Sequence, residues 1–152
     1  MNIQSFESLE PEHRSLLAEA AKRTKHALNK VSNPKTSAII TTENNRHYGN
    51  NIFLSNCSLM CAEAAAIGAA IAANDAHIKQ LYFAVSRDDT PQPKLISPCG
   101  NCRQMLHDLS NLNNNVIEVF LTTSALKEVL LTDSSELLPG GFKSVSLGKM
   151  AA

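Results

Sequence analysis

Two short stretches, Met60-Cys61-Ala62-Glu63 and Ser97-Pro98-Cys99-Gly100-Asn101-Cys102-Arg103-Gln104, constrain this chain more than anything else in it. Together they carry three thiols and a carboxylate. A catalytic zinc takes three protein ligands in a tetrahedral arrangement and keeps the fourth position open. Cys61, Cys99 and Cys102 supply three sulfurs. Glu63 follows the first of them by two residues, so its carboxylate can approach the open position and move protons there without ligating. A fold that uses this set must bring residue 61 beside residues 99–102.

Other readings of the same cysteines explain less. A structural zinc site is closed by four protein ligands, and no fourth Cys or His stands at ligand spacing; His77 and His107 read as surface residues on helices. Two disulfides would need an oxidising compartment and usually a smaller, loop-rich chain. A redox pair at Cys99-x-x-Cys102 leaves Cys61 and Glu63 without a task. Cys57 lies outside the motif and reads as a small buried filler.

The chain has 152 residues, 43% of them hydrophobic, which is enough for one packed core and predicts a single domain over residues 1–152. Lys plus Arg balance Asp plus Glu at 14 each. Binding a polyanion needs clustered cations that displace counterions, so a nucleic-acid partner is not expected and a small-molecule substrate is. The first eleven residues lack a basic-then-apolar targeting pattern, and no apolar run approaches the roughly twenty residues of a membrane span. The expectation is a cytoplasmic protein with no membrane partner.

Residues 10–30 carry Leu16, Leu17, Ala20, Ala21, Ala27 and Leu28 between charges, the pattern of an amphipathic helix with Pro11 near its start. Residues 37–42 read as a strand, residues 43–45 as a hairpin turn, and residues 46–53 as the returning strand. The Ala-rich segment 62–73 is apolar nearly all round, with Ile67 and Ile71 four apart, and predicts a central buried helix. Leu81 to Val85 is a short apolar run, as in a buried strand. A third helix is expected from Pro98 to about residue 109, a polar turn at 111–115 and a strand at 116–121. Residues 127–131 fit a strand or a helix, and the last ten residues lack periodicity. The order helix, two strands, helix, strand, helix, strand indicates an α/β domain with a mixed sheet.

The Cys-Ala-Glu and Ser-Pro-Cys-Gly-Asn-Cys-Arg-Gln motifs, joined by Leu137-Leu138-Pro139-Gly140-Gly141-Phe142 near the C-terminus, resemble the cytidine deaminase family: the small single-domain enzymes and their blasticidin S deaminase relatives. Cys or His, then x-Glu, then Pro-Cys-x-x-Cys is the signature of zinc deaminases. The resemblance implies a three-layer α-β-α sandwich with a mixed five-stranded sheet and a zinc ion (Zn2+) on Cys61, Cys99 and Cys102. It further implies Glu63 as the proton shuttle, a nucleoside substrate, and a homotetramer whose pockets neighbouring chains complete, Phe142 matching the residue involved.

It also implies which residues face the substrate. The family's second strand ends in Gly-x-Asn-Val-Glu-Asn, whose Asn and Glu bind ribose; here the stretch is Gly49-Asn50-Asn51-Ile52-Phe53-Leu54. Asn51 takes the Asn position, with Asn50 as the alternative because the count to Cys61 is shorter by one, and Phe53 replaces the carboxylate. Ala62 is the third residue expected at the substrate. Residues 33–36 lack the aromatic the family often has there, and Ala64 stands where an Arg commonly follows Cys-Ala-Glu. Three thiolates on one zinc leave negative charge, and Arg103 is the candidate to donate to the sulfurs. The expected function is hydrolytic deamination of cytidine or deoxycytidine. The alternatives are deamination of a modified cytosine nucleoside such as blasticidin S, and a catalytically silent zinc-binding protein of the same fold.

Overall fold

The computed structural model describes residues 1–29, 34–54 and 59–143. Cys57 and the last nine residues lie outside them. In chain order the elements are β1 (Asn2–Ser5), α1 (Pro11–Arg23), β2 (Leu28–Asn29), β3 (Lys35–Thr41), β4 (Arg46–Asn50), β5 (Ile52–Phe53), β6 (Leu59–Met60), α2 (Ala62–Ala72), β7 (Gln80–Ser86), α3 (Gly100–Asn113), β8 (Glu118–Thr123), β9 (Glu128–Asp133) and α4 (Ser134–Leu137). The main sheet has the order β1-β9-β8-β7-β3-β4. Among the described residues of this sheet only β7 and β8 pair in parallel, and α3 makes the crossover between them.

Strand alternation sorts the core into two layers. Ala38, Ile40, Leu81, Phe83, Val85, Val119 and Leu121 point to the face covered by α2 and α3. Ile39, Tyr82, Ala84 and Phe120 point to the other, which α1 covers with Leu16, Leu17 and Ala20. Period-2 side chains on a strand between two helical layers give this division, and each fully buried Leu or Ile contributes about 1.5–3 kcal/mol. The result is the expected α-β-α sandwich with a mixed sheet.

The sheet differs from expectation by one strand. It has six strands rather than five, because Asn2–Ser5 adds antiparallel to β9 at the edge. That segment has neither length nor apolar alternation, so its pairing is tertiary in origin. Residues 127–131, left open by the sequence, fall almost wholly in strand β9, and α4 follows directly, capped by the Asp133 carboxylate on the Ser135 and Glu136 amides.

Three boundaries moved for identifiable reasons. The first helix ends at Arg23, where the Thr24 hydroxyl donates back to the Ala21 carbonyl; Ala27 and Leu28, which continue the apolar pattern, lead into β2 instead. The strand expected at 46–53 breaks at Asn51 and changes sheets, since β5 pairs with β2 and β6 in a separate three-stranded sheet. The third helix runs on to Asn113 and stops at Asn114, whose φ of 50° is the left-handed conformation Asn tolerates. The Asn113 and Asn115 amides donate to the carbonyls of Ala76 and Ile78.

Candidate active site

Strand β3 is antiparallel to both β4 and β7, so β4 and β7 run the same way and the helices after them start at one edge of the sheet. Ligand sites in open α/β sheets form at the carboxyl ends of strands. At this edge Cys61 is the N-cap of α2 and Cys99 the N-cap of α3, neither making a side-chain capping hydrogen bond. Cys102 lies in the first turn of α3 and is fully buried. The small sheet delivers the first thiol: Ile52 pairs with Met60 and Phe53 with Leu59, immediately before Cys61.

Among the described residues, Cys61, Cys99 and Cys102 form a cluster whose sulfurs lie within 4.8 Å of one another. The Cys61 and Cys99 Sγ atoms are 3.6 Å apart. Tetrahedral zinc with Zn–S near 2.3 Å needs sulfurs about 3.8 Å apart, so the set fits zinc in number, chemistry and spacing. The electrostatics agree. Burial first, then the Cys99 thiol and the Glu63 charge, push Cys61 up to about 11. Burial pushes Cys102 up further, with Glu63 and Cys61 adding to it. Burial acts upward on Cys99 as well, but hydrogen bonds from the Cys102 amide and from the Cys102 and Cys61 thiols bring it below the ordinary value. Acidic groups crowded this way give up their protons together only beside a cation.

Glu63 is 3% exposed, in the first turn of α2. Desolvation raises its pKa above the usual carboxylate value, while its own backbone amide and the Cys102 thiol, both donating to it, pull the other way. The carboxylate therefore touches the thiol cluster from the helix that carries Cys61. Ala62, wholly buried, sits between the two.

The remaining expected residues are placed differently from one another. Asn51 is 7% exposed, its amide oxygen accepting from the Thr36 amide and its nitrogen donating to the Pro34 carbonyl. It imitates a peptide group and holds the break between β4 and β5. The Asn50 amide likewise donates to the carbonyls of Arg23 and Thr36. Phe53 is half-buried between Asn29 and Leu59 in the small sheet. Arg103 donates through Nε to the Pro98 carbonyl and through Nη1 to that of Leu137. Neither contact is to a sulfur; the guanidinium braces the turn before Cys99 against α4. Gly49, not among the residues expected at the site, lies under the first turn of α2; a glycine inside a strand pattern is the signal for such a close approach.

No helix among the described residues is long and apolar enough to cross a membrane. A cytidine deaminase from Burkholderia pseudomallei superposes with a TM-score of 0.72 at 28% identity, over 86% of this chain and 98% of that one. Cytidine deaminases from Mycobacterium tuberculosis (TM-score 0.67, 17% identity, 89% of this chain and 100% of that chain) and Mycobacterium leprae (TM-score 0.64, 18% identity, 86% and 99%) share the fold. The family model described as the cytidine and deoxycytidylate deaminase zinc-binding region matches residues 10–117, from the N-cap of α1 to the residue before β8 and through all three clustered cysteines and Glu63. The chain belongs to the cytidine and deoxycytidylate deaminase family.

Proposed function

We propose that the chain is a zinc-dependent aminohydrolase that converts a cytosine-type nucleoside, cytidine or deoxycytidine, to its uracil counterpart and ammonia. The observation that carries this reading is one juxtaposition: three sulfurs at zinc spacing with a buried carboxylate hydrogen-bonded to one of them. Cys61, Cys99 and Cys102 would hold the ion. When bound, zinc supplies Lewis acidity that brings the pKa of water from 15.7 to roughly 7.

Glu63 does the proton work. Its carboxylate takes a proton from the attacking water, the water oxygen bonds to ring carbon C4, and the proton passes to ring nitrogen N3. The second water proton travels by the same carboxylate to the exocyclic amine, the C4–N bond breaks, and ammonia leaves. Burial serves this role because it raises the carboxyl pKa, so the group holds the proton it has taken more firmly than an exposed carboxylate would. Arg103 positions the turn that carries Cys99.

A second reading is favoured by the strand end. Both ends of the Asn51 amide are committed to backbone, and Phe53 replaces an acceptor of sugar hydroxyls. These features support a cytosine nucleoside with a modified sugar, such as blasticidin S. Ammonia release from zinc-loaded protein with cytidine, deoxycytidine, cytosine and blasticidin S, with Glu63→Gln as blank, tests both. Turnover of cytidine supports the first reading, turnover of blasticidin S alone the second, and turnover of none with zinc fully bound leaves a silent zinc protein.

Assembly as a homo-oligomer, the tetramer of the resemblance, is supported by apolar surface. Phe142 is 72% exposed and Ile71 on α2 is 53% exposed. Sedimentation of the purified chain decides it.

A further inference from the structure

We propose that Gly49 is a positioning residue of the site: the missing side chain lets the first turn of α2 lie directly on β4, and that depth places Glu63 and Cys61 against the thiols of α3. The proposal rests on the zinc-deaminase reading for what the placement serves, and on the packing for the placement itself.

Gly49 is buried one residue before the end of β4, opposite Ala38 of β3. A Cβ built on it would stand 2.1 Å from the Ala62 carbonyl oxygen, 2.4 Å from the Ala66 nitrogen and 3.0 Å from the Ala65 Cβ. The first two are backbone atoms, and they are the acceptor and donor positions of a helical i to i+4 hydrogen bond. A methyl group would therefore sit on the hydrogen bond that closes the turn containing Glu63. No rotamer change relieves a clash with backbone, so the turn must move as a unit. Gly49 is not in the left-handed region, so torsion leaves other residues free to stand there and space alone excludes them.

The neighbours of Gly49 make the displacement directional. His47, on the same face of β4 two residues earlier, holds the Asp75 carboxylate beyond the far end of α2, and Thr42 and Asn45 donate to it too. That anchor fixes the helix at its carboxyl end. A wedge at residue 49 would thus lift the amino end, which carries Cys61 and Glu63. Cys99 and Cys102 belong to α3 and would stay behind.

The test uses Gly49→Ala with Leu17→Ala as a matched control, since Leu17 is buried against the opposite face of the sheet. Four quantities are read on each protein: Tm, zinc Kd by chelator competition, the visible spectrum of the cobalt(II)-substituted form, and kcat and KM for whichever substrate is turned over. The expected result for Gly49→Ala is a zinc Kd raised about tenfold to a hundredfold, an altered cobalt spectrum, and kcat lowered about a hundredfold with a smaller change in KM. Leu17→Ala lowers Tm and leaves the other readouts in place. If Gly49→Ala loses Tm but keeps the wild-type Kd and cobalt spectrum, the residue is packing only and the proposal falls. Should Gly49→Ala fail to fold, Ala65→Val wedges the same gap from the helix side and is judged by the same readouts. A wild-type chain that binds zinc but releases no ammonia overturns the deaminase reading, and the Kd and cobalt arms still decide Gly49.

Discussion

At the amino end of β7, Tyr82 is wholly buried, yet its hydroxyl is 2.8 Å from His13 Nδ1 and donates to Gln80, whose amide nitrogen in turn donates to Glu118. At the carboxyl ends of β4 and β7, Glu63 and three thiols share a space in which the Glu63 charge acts upward on the pKa of every thiol. Both ends take polar groups out of water. One satisfies them with a chain of hydrogen bonds and stacks His13, Tyr82 and Phe120 rings around them; the other leaves a concentration of acidic groups that a dication resolves. Buried polarity that is satisfied holds a fold, and buried polarity that is frustrated does chemistry.

The sharpest break of that contrast is Glu63→Gln. Turnover should fall about 10² to 10⁴-fold with zinc stoichiometry unchanged, as metal analysis would report. The metal-free variant should be no less stable to urea than wild type at neutral pH. The raised carboxyl pKa is a penalty that sets in as pH rises past the ordinary Glu value of about 4.3, and the amide removes it. Next in size is Arg103→Ala, which frees the turn before Cys99 and should weaken zinc about tenfold in chelator competition, near the lower bound for an outer partner of a ligand. Retention of wild-type affinity would mean that α3 holds Cys99 unaided.

At the other end, Tyr82→Phe should lower unfolding free energy by about 1 kcal/mol and leave zinc Kd and kcat alone; a change in either would join the two ends. The smallest effect expected is that of Asp75. Its pKa is lowered first by the His47 hydrogen bond, then by Thr42 and Asn45. A lowered carboxyl pKa contributes stability that is present above the unfolded value of about 3.9 and lost as pH falls through the folded one. Thermal melts of Asp75→Asn should therefore converge with wild type in acid and separate from it above about pH 4.

How far the sequence was legible follows the same division. The thiol cluster and its carboxylate could be read because ligand chemistry dictates both residue type and spacing, and α2, β7 and α3 because each has a strong local pattern. Asn51 shows the limit: the residue was identifiable, but its commitment to the Thr36 and Pro34 backbone depends on a strand fifteen residues away. Edge strand β1 has no local signal at all. For α2 the local pattern misled in part, because composition alone reads an Ala-rich helix as buried all round. Ile67 is buried and Ile71, four residues on, is not.

Helices α2 and α3 both begin on a cysteine that caps nothing. Serine or aspartate there would hold first-turn amides and stabilise the helix start by about 1 kcal/mol, but neither gives a soft sulfur donor. Helix initiation and ion capture thus converge on the same two residues. An ion bound by the folded form and not by the unfolded chain raises stability by RT ln(1 + [L]/Kd). The melting temperature of this protein is consequently a function of free zinc, and a cell that withdraws the metal withdraws part of the fold.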